Sequence, residues 1–212
     1  MKNKTIISLG TGTPQPYGLN RIFEIANKAG FKYLELMVRE YGSNGYLDTL
    51  DVDYLRSLEQ TFGMKIITVH IPYDFEYRPQ NFQSFQKLIT KLKPQYVISH
   101  IPYQKLCLEY EEIFKNYFLT NEIPSLIENL PITNEKQPTI DPKEWHDFSG
   151  FCYDTCHGLI SGQDIISEIK SLPNIKQLHL SYFDGKEGHK SVIENKPLFE
   201  KVLKLGHFEL IC

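Results

Sequence analysis

The chain has 212 residues, 41% of them hydrophobic and 13% aromatic, and a formal charge of −3 at pH 7. That is the composition of a soluble globular protein, and the length suits one domain with a substantial core. The mild charge and the scarcity of arginine (Arg21, Arg39, Arg56 and Arg78) exclude the basic surplus expected of a protein that grips a DNA backbone.

The N-terminal stretch MKNKTIISLGTGTP turns polar too early for a signal peptide, and no apolar run reaches membrane-spanning length. Both features predict a cytoplasmic protein with no membrane partner. Cys107, Cys152, Cys156 and Cys212 are too few for a disulfide scaffold. Cys152 and Cys156 flank Asp154 with strand parity, which predicts two reduced thiols lining an interior.

In chain order, β-rich runs fall at Ile6–Leu9, Tyr33–Met37, Ile66–His70, Tyr96–His100, Ser125–Glu128, Gly150–Asp154, Ile175–His179 and Phe208–Ile211. Amphipathic stretches at Leu19–Lys28, Val52–Phe62, Phe82–Leu92, Leu108–Phe118, Asp164–Ser171 and Lys196–Leu205 lie between them. Gly30 and Gly206 read as glycine closures of helix C-termini, and Asp51 and Gln163-Asp164 as N-terminal caps. Segment 131–149 is the one long connection, with a short helix at Pro142–Asp147 or none. Eight strands separated by crossover helices predict a single compact (β/α)8 TIM-type barrel domain over residues 1–212. One residue follows Ile211, so the final helix expected after strand eight is lacking. Something else covers that end of the barrel, or a partner subunit does, as in a homo-oligomer.

In a parallel barrel the reactive face lies at the C-terminal strand ends. Here those ends read Val-His70-Ile-Pro, Ser-His100-Ile-Pro, Ile-Glu128-Asn, Tyr-Asp154-Thr-Cys-His157, Leu-His179-Leu-Ser and Phe-Glu209-Leu, followed after strand seven by Glu187-Gly-His189. A lone histidine at a strand end is more often a hydrogen-bonded structural residue than a ligand. Imidazoles and carboxylates at six consecutive strand ends are harder to explain so, because the carboxylates alone would repel one another and partly protonate. A divalent cation removes that repulsion, and mixed histidine nitrogen and carboxylate oxygen suits zinc or manganese.

With His-Ile-Pro twice, Glu-Asn, Asp-Thr-Cys-His, His-Leu-Ser and Phe-Glu-Leu in this order, the sequence from about Ala29 onward resembles the xylose-isomerase-like, or AP endonuclease family 2, superfamily. Asp154-Thr-Cys-His157 and His179-Leu are the most specific pieces. The resemblance implies a divalent-metal enzyme, with zinc as the expected cation and manganese or cobalt as alternatives. In the endonuclease branch it implies three zinc ions. His70, His100 and Glu128 would hold the first, Glu128 bridging to a second held also by Asp154, His179 and Glu209. His157, Glu187 and His189 would hold the third, and a metal-bound hydroxide would attack phosphorus. In the sugar isomerase and epimerase branch it implies a single metal on Glu128, Asp154, His179 and Glu209, the two glutamates forming a catalytic acid/base pair on a sugar or sugar phosphate. All nine endonuclease-type positions carry suitable chemistry here, whereas the isomerase pattern needs four. Hydrolysis of a phosphodiester or phosphoester is therefore the leading expectation. Glu187 stands where the endonuclease pattern has aspartate, and Lys186 is the only cation where epimerases carry an arginine.

Few arginines and short loops after strands one and two favour a small-molecule substrate over DNA. Tyr73, Tyr103, Tyr182 and Lys186, with Phe75 and Phe183, are placed to line a pocket for a ring or base. A non-catalytic ligand-binding barrel is a third reading, from a different functional class.

Overall fold

Eight parallel strands follow one another in sequence order around a closed barrel. They are β1 (Ile6–Gly10), β2 (Tyr33–Met37), β3 (Lys65–His70), β4 (Tyr96–His100), β5 (Ser125–Glu128), β6 (Gly150–Asp154), β7 (Ile175–His179) and β8 (Leu210–Ile211). The helices are α1 (Leu19–Lys28), α2 (Val52–Phe62), α3 (Gln80–Leu92), α4 (Thr155–Ile160), α5 (Ile165–Ser171) and α6 (Lys196–Leu203), the last preceded by a 3-10 turn at Val192–Asn195. The computed structural model describes residues 5–11, 18–38, 51–71, 80–100 (side chains of 80–84 excepted), 124–131, 149–206 and 208–212. Tyr73, Phe75, Tyr103, Cys107, the helix expected at Leu108–Phe118 and the one expected at Pro142–Asp147 lie outside the described residues. Among the described residues, no helix is long and apolar enough to cross a membrane.

Local chemistry sets the helix ends. Asp51 caps α2 by accepting from the Asp53 amide, and Gly63 closes that helix at φ 60°, a left-handed position suited to glycine. Asp164 caps α5 through the Ile166 amide. Gly206 does not close α6, which ends at Leu203 with Lys204 still in the right-handed region. Gly150 opens β6 at φ 157°, and a Cβ there would sit 2.6 Å from the Asn174 carbonyl oxygen, so only glycine fits.

The chain forms two compact units, Ile7–Ser99 with Leu108–Ser125, and Met1–Ile6 with His100–Cys107 and Leu126–Cys212. In the first, Phe23, Leu34, Leu55, Ile66 and Phe85 are buried, and Glu35 is buried too, accepting from the Thr68 hydroxyl at 2.9 Å. In the second, Tyr153, Ile165, Ile169, Leu178, Val202 and Phe208 pack between strands and helices.

A register shift between β6 and β7 positions the functional side chains. Phe151 pairs with Ile175 but Cys152 with Gln177, so Lys176 is an extra residue on β7. A one-residue slip exchanges the faces of a strand. Beyond the shift Asp154 therefore stands level with His179, and Leu178, between Gln177 and His179, faces the apolar cluster.

Candidate metal centre

Glu128 ends β5 and is 1% exposed. A buried carboxylate costs several kcal/mol unless it is paired. Here each oxygen meets an imidazole: Oε2 lies 3.0 Å from His100 Nε2, and Oε1 lies 2.5 Å from His179 Nδ1. His179 Nε2 lies 3.1 Å from the side-chain nitrogen of Gln177, two residues earlier on the same face. Asp154 Oδ2 is 3.8 Å from His179 Nδ1, which links the carboxylates of β5 and β6 through one imidazole.

A second set of donors adjoins the first. Asp154 is both the last residue of β6 and the N-cap of α4, its Oδ1 accepting from the His157 amide at 3.0 Å. The cap places His157 in the first turn of α4. There its Nδ1 meets the Asn129 carbonyl oxygen at 2.7 Å, which assigns Nδ1 as the protonated nitrogen and leaves Nε2 a lone pair. Asp154, His157 and His189 each offer one ligand atom, all within 4.8 Å of one another. The His157 and His189 rings meet edge to face at 5.5 Å, and the His100 and His157 rings lie 6.1 Å apart.

His189 arrives from the connection after β7. Tyr182 and Lys190 pair across it in an antiparallel bridge, and His189 takes φ 54°, unusual for a non-glycine residue. Its amide donates to Cys156 Sγ at 3.2 Å, and its Nδ1 lies 3.2 Å from Ser181 Oγ. Cys156 is thus on a helix and beneath the hairpin, not on the continued strand that parity predicted, because capping by Asp154 starts α4 at Thr155. Burial pushes the Cys156 thiol pKa up. Thr155 Oγ1 donates to the carbonyls of His179 and Ser181, tying the ends of β6 and β7 together.

Two predicted ligands are not brought to these groups. Glu187 is largely exposed and lies 3.4 Å from Lys190. Glu209 precedes β8, which is shorter than the expected Phe208–Ile211. Its amide donates to the Lys176 carbonyl, its carbonyl accepts from Ile6 at the start of β1, and its carboxylate pairs with Lys176 Nζ at 2.5 Å. These are the N-terminal ends of β7 and β1, about 10 Å along the strand from His179. Lys186 is exposed on the hairpin, and Tyr182 packs edge-on against Phe199. In the other unit, His70 ends β3, buried, with Nδ1 2.8 Å from the Ile71 carbonyl.

Sequence reading missed Asn129 and Gln177. A signal existed for Gln177, which shares the parity of His179. The role of Asn129 depends on tertiary geometry: its Oδ1 accepts from the Asp154 amide while its Nδ2 donates to the Asp154 carbonyl.

The donor sets fit a divalent cation: convergent imidazoles and carboxylates, all buried but the half-buried His100 and the exposed His189, with His157 fixed by a carbonyl in the manner of metal-bound histidines. Comparison with known proteins bears on the fold. No family model matches the chain, and no curated protein matches it. Among solved structures, it is similar to 3-keto-D-glucoside 4-epimerase from E. coli, with a TM-score of 0.67, 11% identity and coverage of 98% of this chain and 91% of the other. A xylose isomerase-like TIM barrel protein from Mycobacterium smegmatis in complex with magnesium gives 0.63, 12%, 98% and 89%. Endonuclease IV from Thermus thermophilus gives 0.58, 14%, 98% and 92%. The fold of this chain is that of the xylose isomerase-like TIM barrels.

Proposed function

We propose that this chain is a divalent-metal enzyme that hydrolyses a phosphodiester or phosphoester in a small molecule, with zinc as the working cation. The observation that carries the reading is the second donor group, Asp154, His157 and His189, beside the one centred on Glu128. A single-metal isomerase has no use for it. The isomerase reading also needs a second glutamate opposite Glu128, and Glu209 is engaged with Lys176 instead.

Bound cations would supply Lewis-acid stabilisation of charge on the phosphoryl oxygens. The chain's own residues do the rest. Glu128, wedged between two imidazoles, is placed to accept a proton at one oxygen while the other stays paired. Asn129 holds the backbone of Asp154 and the Nδ1 proton of His157, so both donors are fixed before substrate arrives. Lys186, exposed on the hairpin that carries His189, is proposed as a contact for substrate charge, and His70 as a further ligand on the sequence resemblance alone.

Elemental mass spectrometry on untagged, chelator-free protein tests this, together with assay on bis(p-nitrophenyl) phosphate. Two or more zinc ions per chain and hydrolysis that disappears in His157→Ala support the proposal. A single cation indifferent to His157→Ala, with no hydrolysis, moves the assignment to a sugar isomerase or epimerase. No bound metal at all leaves a non-catalytic ligand-binding barrel.

A further inference from the structure

The buried site around Glu128 contains a sulfur that neither hydrolase nor isomerase reading uses. Cys152 is 1% exposed and is the direct cross-strand partner of Glu128, so the two side chains stand side by side on one face. The shift after Phe151 brings Gln177 level with Cys152, which leaves His179 on the diagonal. Cys152 Sγ, a Glu128 carboxylate oxygen and a His179 ring nitrogen all lie within 4.8 Å of one another. A tetrahedral zinc with bonds of about 2.0–2.3 Å needs its donors somewhat closer, a change that side-chain rotation supplies.

We propose that Cys152 is a thiolate ligand of the cation held by Glu128 and His179, and that it makes this site select zinc over magnesium or manganese. The proposal rests on the metal-enzyme reading above. Carboxylate and imidazole alone serve hard and borderline cations alike, whereas thiolate favours zinc and other softer ions. On ligation the sulfur–hydrogen bond breaks, the proton passes to solvent, and sulfur donates its electron pair to the cation. The other described thiols differ in their partners. Cys156 Sγ accepts the His189 amide. Cys212, partly exposed after β8, also brings its sulfur within 4.8 Å of a His179 ring nitrogen but is not grouped with Glu128, so Cys212→Ser is the control that separates the two sulfurs.

The test is spectroscopic and uses the whole chain stripped of metal and reloaded with cobalt(II). The expected result is visible cobalt bands together with near-ultraviolet sulfur-to-cobalt charge-transfer absorption. That absorption is lost in Cys152→Ser and kept in Cys156→Ser and Cys212→Ser. Cobalt bands without charge transfer overturn the sulfur ligand while the metal reading stands, as does absorption that survives Cys152→Ser. Failure to bind cobalt at all overturns the metal reading and this proposal with it. X-ray absorption at the zinc edge of the unmutated protein needs no folded variant. A sulfur shell at about 2.3 Å supports the proposal, and a shell of nitrogen and oxygen alone overturns it.

Discussion

The side chain of Asn129 clamps the backbone of Asp154 from both sides, accepting from its amide at 2.6 Å and donating to its carbonyl at 3.0 Å. The same residue's own carbonyl fixes His157 Nδ1 at 2.7 Å. One residue at the end of β5 therefore sets two donors belonging to β6 and α4. Loss of such outer partners typically weakens metal binding 10–100-fold. Asn129→Ala is expected to weaken zinc at the Asp154/His157/His189 group by about that factor, measured by calorimetric titration of the metal-free protein. Unchanged affinity would show that Asp154 and His157 hold their positions without it.

Tyr153 and Gly158 form a second close relationship, on the outer face of β6. A Cβ on Gly158 would lie 2.3 Å from Tyr153 Oη and 2.9 Å from Ile165 Cγ2, so Gly158→Ala forces α4 away from the core. The expected cost is about 1–3 kcal/mol, read as a lower Tm. Tyr153→Phe removes the nearest clashing atom and is expected to recover part of that loss in the double variant. Equal losses with and without Tyr153→Phe would place the clash elsewhere.

By itself Tyr153→Phe is expected to stabilise by about 1 kcal/mol, because the buried Oη has no hydrogen-bond partner among the described residues. Burial, then the charges of Glu168, Asp154 and Asp164, push the Tyr153 pKa above its ordinary value. A raised folded-state pKa means a contribution present below pH of about 10 and lost as pH rises beyond it. The unmutated protein should therefore lose more stability between pH 9 and about 11 than Tyr153→Phe does. Parallel denaturation midpoints for the two proteins over that range would refute the assignment.

Strand positions were legible because five of the eight coincide with short apolar runs ending in His, Glu, Asp or Met, and their bounds match the sequence reading. The ladder's register was not legible. The extra residue Lys176 on β7 has no signature in Ile-Lys-Gln-Leu-His, yet it decides which residues share the face of Asp154. The same blindness placed Glu209 among the ligands: alternation in Phe208–Ile211 gives a strand but not the height of each residue along the barrel. Asp154 hid a different change. Its side chain ends the strand by capping a helix, so parity counted onward to Cys156 no longer applied.

Asp184 organises the hairpin that delivers His189. Its Oδ1 accepts the amides of Lys186 and Glu187, each at 2.8 Å, and Oδ2 meets Lys190 Nζ at 2.5 Å. The Glu187 amide, the Lys190 ammonium and the Lys186 amide hold its carboxyl well below the usual carboxylate range. A lowered folded-state pKa means the turn's support is present above pH of about 4 and lost only as pH falls further. Asp184→Ala is expected to weaken the His189-containing group about tenfold or more at neutral pH, while Asp184→Asn, which still accepts both amides, loses less. Equal zinc titrations for all three proteins would show that His189 is positioned by Cys156 and Ser181 alone.

Glu209 supplies the sharpest contrast with Glu128. Both are strand-associated glutamates, but Glu128 is enclosed by imidazoles, whereas Glu209 pairs with Lys176 at the opposite end of the strands and is partly exposed. A partly exposed ion pair contributes little, up to about 1 kcal/mol. Glu209→Gln is therefore expected to keep its full zinc content and to lower Tm only slightly. Glu128→Gln removes a buried ligand and leaves His100 and His179 facing an amide, so it should lose at least one zinc ion. Retention of every zinc ion in Glu128→Gln would remove the centre from β5. Loss of zinc in Glu209→Gln would instead mean that the Lys176 pair opens and the glutamate reaches the strand ends, reviving the two-glutamate arrangement of an isomerase.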